Sequence, residues 1–176
     1  MRVRRVVTGH DDQGKAVFAS DQGVDPVTTP LMPGTEFHLL WGGDGAPTFP
    51  DDGSRPTTER YFPPLGGFRF GFFTLGPAGG APPADLDVGK ALIELNTQLP
   101  GLMDHMEPGE PGMHTTDTID FEVVLSGEVV LELDDGAEKV LVPGDTVVQN
   151  GTRHRWHNRG SEPAVIAVLL LGAKRR

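Results

Sequence analysis

MHTTDTIDFEVVLSGE, residues 113–128, sets a histidine and two carboxylates at even spacing along a stretch that reads as strand. Side chains two apart on a strand share a face, so His114, Thr116, Thr118 and Asp120 project together, and Glu122 continues that face. Ser126-Gly127 then turns Phe121–Leu125 into Glu128–Leu133, and Asp134-Asp135-Gly136 turns the chain again into Glu138–Val142. A polar strand face followed at once by hairpins predicts an all-β fold whose interior carries chemistry.

The same grammar continues downstream. Pro143-Gly144-Asp145 leads into Thr146–Gln149, and Arg153–Asn158 and Ala164–Leu171 follow as strands. On the middle one, His154 shares parity with Trp156 and Asn158, whereas Arg153, Arg155 and His157 face the other way. If His154 points inward, His157 points outward. Upstream, one helix is expected near 85–99: Asp85 or Asp87 caps it, Val88, Leu92, Leu95 and Leu99 form a stripe, and Pro100-Gly101 stops it. That stripe reads as the face of a helix covering the barrel.

GGFRFGFFTLG, residues 66–76, reads as a further strand, with Phe68, Phe70 and Phe72 pointing one way and Arg69, Gly71 and Phe73 the other. Between Val24 and Pro64 prolines and glycines recur, and only Phe37–Trp41 looks strand-like. Val3–Thr8 and Ala16–Ala19 flank a polar turn and predict an N-terminal hairpin. The expected organisation is one domain over 1–176, with the hairpin and wrapping loops in 1–65 and the barrel with its helix in 66–176. Short strands at this spacing, with 24 glycines and 16 prolines, argue for a sandwich or barrel.

The formal charge of −10 disfavours nucleic acid and anionic membrane surfaces, since both reward Lys and Arg. With no cysteine there is no disulfide framework, which fits a reducing compartment. The N-terminus lacks the apolar core of a signal peptide, and the longest apolar run, Ala164–Ala173, is too short to span a bilayer as a helix. A cytoplasmic protein is expected. There is no G-x-S-x-G elbow, phosphate loop or dinucleotide fingerprint, so neither a serine hydrolase nor a nucleotide enzyme is indicated.

Two spacings in this chain resemble the paired motifs of the cupin superfamily. His114, Thr116, Asp120 and Gly127 stand where the first motif has His, His, Glu and Gly, with Gly109 one residue too close to serve as its leading glycine. Gly144, Gly151, His154 and Asn158 fit the second, with Gln149 where the motif has proline and the first gap one residue short. The resemblance runs from about Met113 to Gly172 and implies a cupin-like jelly-roll β-barrel. It also implies a small-molecule enzyme acting by oxygenation, decarboxylation, isomerisation or cyclisation, and assembly as a homodimer.

His114, Asp120 and His154 have the composition of a facial triad and are the expected ligands of a divalent ion, Fe, Zn, Ni or Mn. Aspartate is one methylene shorter than the glutamate of the motif, and Thr116 is a poor ligand. Thr116 is therefore read as leaving an open position for a water or substrate oxygen. Glu122 is the candidate catalytic base. Trp156, Phe70, Phe72 and Met113 are expected to line an apolar substrate pocket. The alternatives are a metal-free cupin in which the histidines act as acid–base groups, and a small-molecule-binding barrel without catalysis.

Overall fold

The computed structural model describes residues 2–78 and 80–176. Its strands are β1 Val3–His10, β2 Ala16–Val24, β3 Val27–Thr28, β4 Glu36–Gly43, β5 Phe68–Leu75, β6 Thr118–Ser126, β7 Val129–Glu132, β8 Glu138–Leu141, β9 Thr146–Gln149, β10 Arg155–His157 and β11 Ala164–Gly172. Among the described residues a single α-helix, α1, spans Val88–Gln98. All strand pairings are antiparallel. A six-stranded sheet runs β3-β4-β5-β11-β6-β9, and a three-stranded sheet runs β10-β7-β8. This is the all-β jelly-roll barrel that the family resemblance implies, with one covering helix.

The barrel core follows from strand alternation. Leu75, Val124, Val129, Ala164 and Ile166 are buried in one cluster, with Trp156 packed against it. At the β6–β7 turn the chain passes directly over β11. Gly127 has φ +75, and a Cβ there would lie 2.7 Å from Ala164 Cα. Only glycine combines that backbone conformation with that approach.

Helix α1 starts where Asp87 accepts a hydrogen bond from the Lys90 N–H. Its buried stripe is Ala91, Leu95 and Leu99, continued by Leu102 and packed against Phe37. The expected stripe is thus corrected at its start, because Val88 and Leu92 are exposed. Successive residues sit about 100° apart round a helix, so Ala91 takes the inner position and turns Leu92 to the rim. Among the described residues no helix is long and apolar enough to cross a membrane.

The N-terminal hairpin forms as its own two-stranded sheet, β1-β2. It docks through Arg5, whose guanidinium donates to the Leu40 carbonyl at 2.8 Å and lies 5.6 Å over the Trp41 ring.

Candidate functional site

The site is built on one rung of main-chain hydrogen bonds. The His114 N–H donates to the His154 carbonyl at 2.9 Å, and the His154 N–H returns the bond at 3.0 Å. Directly opposed residues of an antiparallel pair share a face, so the two imidazoles lie side by side with ring centroids 4.2 Å apart.

Each ring is anchored in the same way. His114 Nδ1 lies 2.9 Å from the Gly112 carbonyl, and His154 Nδ1 lies 2.9 Å from the Thr152 carbonyl. A carbonyl only accepts, so Nδ1 carries the proton in both rings and each Nε2 keeps its lone pair. Burial pushes both imidazoles below the ordinary histidine value. His154, with His114 as a second cause, falls to about 4. Both rings are neutral at pH 7.

Across the cavity, β6 presents two carboxylates on one face. Burial raises Asp120 to about 6, against a hydrogen bond from Thr118 that lowers it. Burial, and then the charge of Asp120, raises Glu122 to about 8. Asp120 Oδ1 and Glu122 Oε2 are both buried without a hydrogen-bond partner. Unsatisfied buried oxygens beside lone-pair nitrogens make this a site arranged for a guest.

His114, His154, Asp120 and Glu122 share a cavity of about 220 Å³ with Phe37, Tyr61, Phe73, Trp156, Ile166 and Leu170, among others. The Trp156 ring stands edge-on to His154 at 6.5 Å. Tyr61 was not legible from sequence, since it sits in a proline-rich loop without periodicity. Burial and the two carboxylate charges keep its phenol protonated.

Three expected pocket residues lie elsewhere, and Thr116 turns away. Met113 is buried but has the opposite parity to His114 and does not border the cavity. Phe70 and Phe72 lie on the outer face of β5, and it is Phe73 and Leu75 that face in. Both faces of that strand are aromatic, so alternation alone did not say which was inner. Thr116 is also absent from the lining, its hydroxyl instead meeting that of Thr118 at 2.7 Å.

His157 points outward, as parity required, and contacts Glu132 at 2.5 Å. Among the described residues, only Glu132, Glu138 and His157 form a group of three His or carboxylate side chains with ligand atoms all within 4.8 Å of one another. That group is already neutralised, because Arg155 binds Glu132 through two bonds of 2.8 Å and Arg159 pairs with Glu138. The Arg155 and His157 contacts hold the Glu132 carboxyl down at about 2. An ion-pair ladder along β7, β8 and β10 accounts for the group.

His114, Asp120 and His154 share the cavity without meeting that distance. The two imidazoles suit a divalent ion in tautomer and proximity, and the unpartnered Asp120 oxygen suits its charge. The short aspartate reaches less far than a glutamate would.

The carboxylates give a pH prediction for protein freed of metal by chelation. Glu122 is ordinarily ionised above 4.5 in an unfolded chain but stays protonated in the fold up to about 8. The fold therefore binds more protons in that window, and stability falls as pH rises through it. His154 works in the opposite sense between about 4 and 6.5 and offsets Asp120 there. Between about pH 6.5 and 8.5 the Glu122 effect stands alone, so Tm should fall, and Glu122→Gln should flatten the slope. Thermal melts at four pH values check this, and an unchanged slope in the variant contradicts it.

Known proteins resemble this chain as follows. The family model described as a cupin domain matches residues 102–170. Phomopsin biosynthesis cluster protein D of Diaporthe leptostromiformis is 31% identical over 156 residues, covering 88% of this chain and 70% of that protein. A cupin-domain-containing oxidoreductase of Aspergillus ruber is 26% identical over 173 residues, covering 97% and 72%. Among solved structures, a Cupin 2 conserved barrel domain protein from Salinispora arenicola aligns with a TM-score of 0.43 at 15% identity, covering 86% of this chain and 90% of that one.

Proposed function

The chain belongs to the cupin superfamily, and we propose that it is a small-molecule enzyme whose reaction takes place between the His114–His154 pair and the carboxylates of β6. The observation that carries this reading is the pair itself. Two neutral imidazoles stand side by side over a mostly apolar cavity that also holds unpartnered carboxyl oxygens. That several relatives are named cupin-domain-containing oxidoreductases supports an enzymatic reading.

In this reading His114 and His154 would hold a divalent ion through Nε2, with Asp120 as the third ligand or charge partner. Such an ion would supply a Lewis-acid centre. The Gly112 and Thr152 carbonyls fix the ring tautomers and orientations from behind. Glu122, held protonated by burial at neutral pH, donates or retrieves a proton at its Oε2 atom. Trp156, Phe73 and Ile166 exclude water and favour a flat, weakly polar substrate.

One observation favours a second reading, in which the site works without metal. His114, Asp120 and His154 do not bring their ligand atoms within 4.8 Å of one another. The neutral imidazoles and the raised carboxyls would then be the acid–base groups themselves. Adding Zn, Fe, Ni or Mn to chelated protein separates the two. Binding at a hundredfold excess over Kd stabilises the fold by about 2.7 kcal/mol, whereas an unmoved Tm with all four ions supports the metal-free site.

Trp156→Ala tests the substrate wall. Ligand affinity should fall by roughly tenfold or more, beyond the effect of the stability lost on truncating the ring. Folding is checked first by its melt. Unchanged affinity in a folded variant would make the tryptophan a packing residue only.

A further inference from the structure

We propose that the substrate of this site is an apolar molecule with a carboxylate at one end, and that Arg55 holds that carboxylate in a second chamber beside the histidine cavity. The inference rests on the reading of the histidine pair as the reacting centre. The chamber has a volume of about 250 Å³ and shares Phe37, Tyr61, Val168 and Leu170 with the cavity of His114 and His154. Strand register accounts for the shared wall. On the inner face Glu122 of β6 opposes Val168 of β11, which opposes Gly71 of β5, which opposes Leu39 of β4. The next row runs Asp120, Leu170, Arg69 and Gly42 across the same four strands.

These rows lead from the carboxylates of β6 into the chamber. Gly71 brings no side chain to its row, so the floor between Val168 and Leu39 is bare backbone. Gly42 leaves its space to Arg69, since a Cβ there would lie 2.8 Å from Arg69 Cδ. Neighbouring strands lie about 4.8 Å apart, so three spacings set Leu39 about 14 Å from Glu122 along the row. The Leu39 carbonyl accepts a hydrogen bond from Arg55 at 3.1 Å, which holds the guanidinium at that far end. The walls between are mostly apolar, with Leu39, Leu99, Val168 and Leu170 among them.

Charge identifies the group bound there. Among the described residues, three arginines and no Asp or Glu line the chamber, in a chain of formal charge −10. Arg69 is committed to the fold, donating to the Gly43, Phe68 and Arg60 carbonyls and pairing with Asp44. Arg60 pairs with Asp104. Arg55 has no acid partner among the described residues, and its one hydrogen bond to Leu39 leaves donors over. Nearby, Arg5 binds the Leu40 carbonyl, also without an acid partner among the described residues, and its Nε is buried and unpartnered. Burial, and then the charge of Arg55, lowers the Arg5 pKa, as expected of neighbouring cations without a counter-ion. A planar guanidinium with free donors beside apolar walls suits a carboxylate.

Calorimetric titration of the purified protein with ω-phenylhexanoate and with its methyl ester tests this. Arg55 is exposed, so solvent screens the contact, and the acid should bind about five- to tenfold more tightly than the ester. Arg55→Gln should bind acid and ester equally, at the affinity the wild type shows for the ester. If that variant does not fold, raising NaCl about tenfold with the wild type should shrink the acid's advantage to about twofold. His154→Ala should keep the advantage, because the Arg55 end is untouched. A wild type that holds no metal and still prefers the acid would therefore refute the metal reading of the histidines and leave this proposal standing. Equal binding of acid and ester by wild type, or no measurable binding of the acid at about 1 mM, overturns it. So does a preference that survives Arg55→Gln or the added salt. Loss of the preference in His154→Ala also overturns it, since the carboxylate would then sit on the histidines or their ion.

Discussion

His114→Ala and His154→Ala should each leave a folded barrel that no longer retains stoichiometric divalent metal, with turnover of any substrate lost along with it. The fold should survive because the rung joining these residues is made by their backbones, and alanine keeps both main-chain hydrogen bonds. The metal should go because each ring contributes one Nε2, and His114 and His154 are the two imidazoles among the described residues that line the cavity. Loss of an outer hydrogen-bonding partner of a ligand costs about 10–100-fold in metal affinity, so loss of the ligand itself should exceed that. Asp120→Ala should weaken binding less, because its carboxylate does not close a three-point set with the rings. Equilibrium dialysis with a single metal orders the three variants. Equal metal retention in wild type and both histidine variants would place the ion, if any, elsewhere.

Ile166→Ala should cause a large loss of stability, about 2–5 kcal/mol. Ile166 sits on the central strand β11, is almost fully buried, packs in the barrel core, and also borders the cavity. Truncation removes apolar contacts and leaves a void that a sheet paired on both sides cannot easily collapse into. For a chain of this size the loss corresponds to a Tm lower by roughly 5–20 °C. Metal affinity should stay within a few-fold, since the histidine rung is untouched. Differential scanning calorimetry with a parallel metal titration separates these effects, and a Tm unchanged within a degree would contradict the packing described.

The two predictions draw on parts of the sequence that were unequally legible. The inward face of β6 could be read because its polar residues alternate with apolar ones, so Asp120 and Glu122 fell on one side. His154, Trp156 and the outward His157 were fixed by the same parity. On β5 the rule failed for a physical reason: aromatic residues occupy both faces, one lining the cavity and the other the apolar outer face. The helix stripe slipped at its first turn because an alanine, uninformative in a hydrophobic pattern, holds the inner position. Tyr61 and Phe62 reach the cavity from a loop whose path depends on tertiary packing, which no local period encodes. Whether His114, Asp120 and His154 converge to bonding distance is also a tertiary quantity, set by the relative position of two strands and the length of one side chain.

The central claim is that the His114–His154 pair holds a divalent ion, and elemental analysis of protein purified without chelators or added metal tests it most directly. The account predicts about one equivalent of Fe, Zn, Ni or Mn per chain in the wild type and none above background in His114→Ala or His154→Ala prepared in parallel. A wild type with no metal, whose melting none of the four ions shifts, would contradict it and assign the two imidazoles to acid–base work.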